Sequence, residues 1–111
     1  MDRALGPSES LHAPHLLDIE ETHALHRLVQ REEITTIRAE QGLEDFSQML
    51  IERHGHQPLT ERIWQMRESL TAHDGAYVAL AEALEAPLLT CDAKLARAHG
   101  HQAKVELIAD E

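Results

Sequence analysis

The chain has 111 residues, with 20 acidic against 10 basic side chains and a formal charge of -10. That length suits a single domain, 1–111, with one core and no need of disulfide support, which a lone cysteine, Cys91, could not supply within the chain. The charge argues against unaided, tight nucleic-acid binding, which needs Lys and Arg on phosphates, and no segment approaches the ~20 apolar residues of a membrane span. Met1 is followed by Asp2 and Arg3 with no hydrophobic run behind them, so the expectation is a soluble, cytoplasmic protein with no membrane partner.

Residues 1–10, MDRALGPSES, carry Gly6, Pro7, Ser8 and Ser10 and read as a loop or a fragment of some earlier element, with no strand predicted before the first helix. From Pro14 to about Arg31, Leu16, Leu17, Ala24, Leu25 and Leu28 fall on one helical face. Glu20 and Glu21 stand at opposite margins of that stripe, where a solvated edge acid is the simpler reading. Thr35 or Thr36 can cap a second helix running to Met49, and Leu50 to His54 then gives a short strand. Pro58 opens a third helix, with Ile63, Trp64 and Met66, to about Leu70.

The stretch from Leu70 to Asp92, LTAHDGAYVALAEALEAPLLTCD, carries the most information. After Asp74, its only polar side chains up to Ala86 are Glu82, Glu85 and the Tyr77 hydroxyl, so a helix here must be largely buried. Pro87 ends it, and Leu88, Leu89 and Thr90 form an apolar run typical of an inner strand of a parallel sheet. Asp92 then sits at the strand's carboxyl end, where ligand crevices of open α/β sheets lie, and Asp74 at the start of the preceding helix could face the same region. Both acids also have plainer readings. Thr71 and Asp74 fit a capping box, and Asp92 fits an N-cap of the helix Ala93 to about His99. Cys91 reads as a small buried thiol. A last strand covers Lys104 to Ile108. A helical first half followed by β, α, α, β, α, β implies a parallel, three-layer α/β domain with right-handed crossovers.

Of nine histidines, His12 and His15, His23 and His26, His54 and His56, and His99 and His101 form close pairs. The pairs lie on different elements, and no HExxH or paired CxxC is present, so surface histidines account for them better than a closed zinc site. Both HGH triplets look like turns around a central glycine. Dinucleotide, P-loop and hydrolase-elbow motifs are absent, and the few Ser and Cys residues lack an obvious base. Acids are what remains.

The runs LHAPHLLDIEETHALHRLV, IERH, LTAHDGAYVALAEAL and APLLTCDAKLARA, in unbroken order over 11–108, resemble the PIN-domain ribonuclease toxins of bacterial toxin-antitoxin pairs, the VapC family. The resemblance implies a PIN-like α/β/α fold and a metal-dependent endoribonuclease. In it, Glu20, Asp74 and Asp92 match the family's acids, which hold Mg²⁺ or Mn²⁺ and cleave RNA. Asp18 and Glu21 do not align with that motif. It also implies a cognate VapB-like antitoxin, whose basic tail would occupy the acidic cleft, and a homodimer. The departure is at the start: family members begin with a central strand ending in an Asp, of the form VVDAS, and Asp2 in its Gly-Pro-bounded segment cannot take that role. The departure implies a sheet lacking its first central strand and a metal site short of one acid. Two readings follow, a natural protein that is longer or an impaired, PIN-like binding module that engages an antitoxin or dimerises.

Overall fold

The computed structural model describes residues 11–90, 95 and 97–107. The first element is a strand, β1 (Leu11–Pro14), followed by helix α1 (Leu16–Gln30), helix α2 (Thr36–Ser47) and strand β2 (Ile51–His54). A 3-10 turn over Gln57–Leu59 leads into the short helix α3 (Thr60–Gln65), then α4 (Ala72–Leu84), β3 (Leu88–Thr90) and β4 (Val105–Leu107).

β1 corrects the expectation that no strand precedes the first helix. Its four residues are too few to show an alternation, and its Pro14 reads in the sequence as a helix opener. In the fold, Pro14 is the last residue of the strand and fully buried, a place where a missing N–H costs little. The ladder passes to the next residue, whose amide donates to the His54 carbonyl at 2.9 Å. β1 pairs in parallel with β2, Leu11 opposite Ile51 and Pro14 opposite His54, so α1 and α2 form the crossover between them. β3 and β4 also pair in parallel, Leu88 opposite Val105 and Thr90 opposite Leu107.

Among the described residues these are two separate two-stranded sheets, and α4 touches both β1 and β3. The expected α/β class with parallel pairing is met.

α2 starts where expected, with the Thr35 hydroxyl accepting from the Arg38 amide at 3.1 Å, and ends at Ser47, two residues short of Met49. α3 is much shorter than the helix expected to Leu70, because the chain leaves helical geometry at Met66. Met66 is almost wholly buried there.

The apolar reading of α4 holds: Gly75, Ala76, Val78, Ala79, Leu80 and Ala81 are buried. Val78, Ala79 and Leu80 form the core with Leu59, Met66, Leu70 and Leu95. Gly75 allows α3 and α4 to close on each other, since a methyl there would stand 3.2 Å from Ile63 Cγ2. α4 ends at Glu85, in left-handed backbone at φ 52°, with the Ala86 amide donating back to the Ala81 carbonyl at 3.1 Å.

α1 is less covered than its stripe implies. Leu16, Leu17, Leu25 and Leu28 are half-buried, Ala24 is exposed and no residue of the helix is fully buried. Of the predicted helix Ala93 to His99, residues 93, 94 and 96 lie outside the described ones; Leu95 is helical and reaches the core, and 97–99 are not helical. Cys91 and Asp92 also lie outside them, as do Asp2 and the rest of 1–10.

Candidate functional site

Glu20 lies in α1 and Asp74 in the first turn of α4, and both are half-buried. The link between them is Tyr77. It stands three residues after Asp74, one turn along the same helix face, and its hydroxyl donates to Glu20 Oε1 at 2.5 Å. Burial, that hydrogen bond and the charges of Glu20, Asp18 and Asp74 all hold the Tyr77 phenol far above its ordinary value, burial being the largest cause. The phenol is therefore a fixed donor to a carboxylate across the physiological range. Thr71 is the N-cap of α4, its hydroxyl accepting from the Asp74 amide at 3.1 Å, which is the Thr71 half of the expected box and orients the first turn. Glu20 is not the solvated edge acid of the simpler reading, since it is tied to a tyrosine 57 residues away.

Asp18, two residues earlier and on a different side of α1, has a different task. Arg53 of β2 grips it through Nε at 3.1 and 2.9 Å and Nη2 at 2.8 Å. Those bonds hold the Asp18 carboxyl below the usual carboxylate range. The Arg53 guanidinium also lies 5.6 Å from the centre of the Phe46 ring of α2. Asp18 thus fastens α1 to β2, in keeping with its place outside the acidic motif.

A groove of about 420 Å³ lies at the starts of α1 and α4, lined by Leu16, His56, Ile63, Trp64, His73 and Ala76 among others. His56 Nε2 accepts the Leu16 amide at 3.0 Å and so supports the start of α1. At the rim, Trp64 is 65% exposed and carries the Arg67 guanidinium 4.2 Å above its ring.

The two described acids of the motif are carboxylates on separate helices, Glu20 bonded by a phenol of the helix that carries Asp74, and such oxygen donors suit a hard divalent ion. Asp92, the third, lies outside the described residues. Among the described residues, the group of three side chains with donor atoms drawn within 4.8 Å of one another is another set, His12, Glu52 and His54.

No protein-family model matches the chain. Individual proteins do. Ribonuclease VapC12 of Mycobacterium tuberculosis is 42% identical over 101 residues, which are 91% of this chain and 78% of that protein. Ribonuclease VapC1 of the same organism is 44% identical over 107 residues, 96% of this chain and 80% of that one. The chain belongs to the VapC family. VapC ribonuclease Mb0985 of Mycobacterium bovis is a further relative, 41% identical over 93 residues, covering 84% of this chain and 73% of its own.

Within a VapC chain, Tyr77 and Arg53 are the residues that sequence reasoning passed over. Tyr77 had one usable signal, a lone polar group in an otherwise apolar helix whose hydroxyl must find a partner once buried. Arg53 had none, because its partner depends on how α1 lies over β2.

Proposed function

We propose that this VapC protein is a metal-dependent endoribonuclease, the toxin of a toxin-antitoxin pair, with Glu20, Asp74 and Asp92 as the ligands of Mg²⁺ or Mn²⁺. The observation that carries this reading is the Tyr77–Glu20 hydrogen bond, which sets the acid of α1 beside the helix face bearing Asp74. The ribonuclease names of the relatives support it. A chain of formal charge -10 repels a polyanion, so an acidic site can take RNA only with a cation between carboxylate and phosphate. When bound, the ion supplies an activated water and offsets the charge that develops on the scissile phosphate.

The chain's own residues prepare that place. Tyr77 restrains the rotamer of Glu20 by donating to one of its oxygens, and the other oxygen would serve the ion. Thr71 sets the first turn of α4 and with it Asp74. The Arg53 clamp on Asp18 holds α1 against β2, so that Glu20, two residues on, is presented by a fixed helix.

The proposed partners are RNA as substrate and a VapB-like antitoxin whose basic segment complements the acidic surface. A homodimer is part of the same proposal, supported by large apolar side chains left open on the first two helices, Ile19 and Ile37 at 69% exposure each. No described helix is long and apolar enough to cross a membrane. No observation favours the non-catalytic binding module.

The test is RNA cleavage with Mg²⁺ or Mn²⁺ against Asp74→Asn and Glu20→Gln. Each substitution is expected to lower the rate at least ~100-fold through loss of a ligand, and excess EDTA to abolish cleavage. Cleavage that persists unchanged in EDTA or in Asp74→Asn ends the metal mechanism.

A further inference from the structure

We propose that His12, Glu52 and His54 form a transition-metal site, separate from the acids of α1 and α4, that takes a borderline ion such as Zn²⁺ and pins β1 to β2. The parallel register builds it. His12 lies opposite Glu52 and Pro14 opposite His54, and because side chains alternate along a strand, His12, Glu52 and His54 share one face of the pair. Arg53, between the last two, points to the other face, where Asp18 and Phe46 hold it. The site thus lies on the opposite side of this sheet from α1 and its Glu20.

The distances are those of ligands around one ion. His12 Nδ1 stands 2.9 Å from His54 Nε2 and 3.8 Å from the nearer Glu52 oxygen, and all three donor atoms lie within 4.8 Å of one another. Bonds of about 2.0–2.1 Å in a tetrahedral zinc site separate neighbouring ligands by roughly 3.3–3.4 Å, so the two separations from His12 each need to change by only about 0.5 Å. The rings sit 5.1 Å apart and tilted by 42°, not stacked flat, so their nitrogens can converge. Without a metal, the short contact requires one imidazole to donate its N–H to the other. With a metal, that proton moves to the far nitrogen of its own ring, and the two facing nitrogens, each on a neutral imidazole, become ligands.

Two imidazoles and one carboxylate select against Mg²⁺, which demands oxygen ligands, and in favour of Zn²⁺ or Ni²⁺. His12 and Glu52 are exposed and His54 is half-buried, so the ion can enter from solvent and water completes its coordination. The sequence pairs mislead because they are nearest neighbours in the chain. The site takes one member of each of two pairs, 42 residues apart, and adds Glu52 from the strand that carries His54.

Calorimetry of the untagged full chain with Zn²⁺ alone, in buffer holding excess Mg²⁺, tests this. One Zn²⁺ per chain is expected, with affinity falling at least ~10-fold in His12→Ala and His54→Ala, less in Glu52→Gln, and unchanged in His23→Ala on the exposed side of α1. Zn²⁺ should also raise the thermal unfolding midpoint of the unaltered chain and not that of His54→Ala. His12→Gln replaces His12→Ala if the latter does not fold. Asp74→Asn is expected to keep the Zn²⁺ site, so failure of the nuclease reading leaves this one standing. Equal Zn²⁺ affinity in the His12 and His54 variants, or no Zn²⁺ binding by the unaltered chain, overturns the proposal.

Discussion

Tyr77 is the one tyrosine of the chain, so its ionisation can be followed by ultraviolet absorbance without interference from another phenol. Burial first and the Glu20 hydrogen bond second raise its folded value above the ordinary one. The expected titration therefore begins well above the ~10 of a free tyrosine, and the Glu20→Gln variant should titrate lower, while still above ~10 because burial persists. A group raised on folding contributes stability that is complete below its unfolded value and is lost as pH climbs through the folded one. The fold should thus weaken above ~10, and less so in Tyr77→Phe. Unfolding of the whole chain before any phenolate appears would show that the hydroxyl is not what resists base. Glu20 itself was legible as an acid at the margin of an apolar stripe. Its phenolic partner was not, since nothing in α1 points to a residue in α4.

At the level of elements, α4 was the most readable part of the chain. Its low polar content forecast burial, Thr71 its cap and Pro87 its end, all of which are local chemistry. What holds α4 to its surroundings was hidden. Arg62 of α3 meets Glu82 in a two-pronged pair, Nε to Oε1 at 2.7 Å and Nη2 to Oε2 at 2.9 Å. The same carboxylate accepts the Gln102 amide at 2.6 Å, so one side chain fastens α3, α4 and the approach to β4.

The Arg62 bond is the main cause that holds Glu82 below the usual carboxylate range, with the Gln102 amide adding to it. A carboxylate lowered on folding contributes stability that is complete above its unfolded value of about 4.3 and is lost as pH falls through the folded value. Urea unfolding near neutral pH and in acid should show a steeper loss in the unaltered chain than in Glu82→Gln. The variant should be the less stable of the two at neutral pH. Parallel acid profiles would assign the loss to other carboxylates.

At the scale of the molecule, one core joins Leu59, Met66, Leu70, Val78, Ala79, Leu80 and Leu95, and Met66 at 1% exposure is its most enclosed large side chain outside α4. Met66→Ala should cost about 2–4 kcal/mol, a cavity effect read from the urea midpoint. The same position explains why α3 is short. The helix yields at Met66 so that this side chain can turn inward and the chain can reach the cap of α4. Contrast the first half, where Leu50 is 92% exposed and α1 has no fully buried residue. Its apolar stripe was real in the sequence, but its amount of cover depends on what packs there.

The α/β class, the cap of α4, the turn at Gly100 with its φ of 85° and the acidic character of the site all follow from residue type and spacing along the chain. Each rests on contacts within a few residues, which local chemistry controls. The strand at Leu11–Pro14, the hold of Tyr77 on Glu20, the Arg53 clamp and the meeting of His12 with His54 arise only once distant segments pack. Their partners lie 35 to 57 residues apart, and the register of two short parallel strands and the seat of α1 over them decide who meets whom.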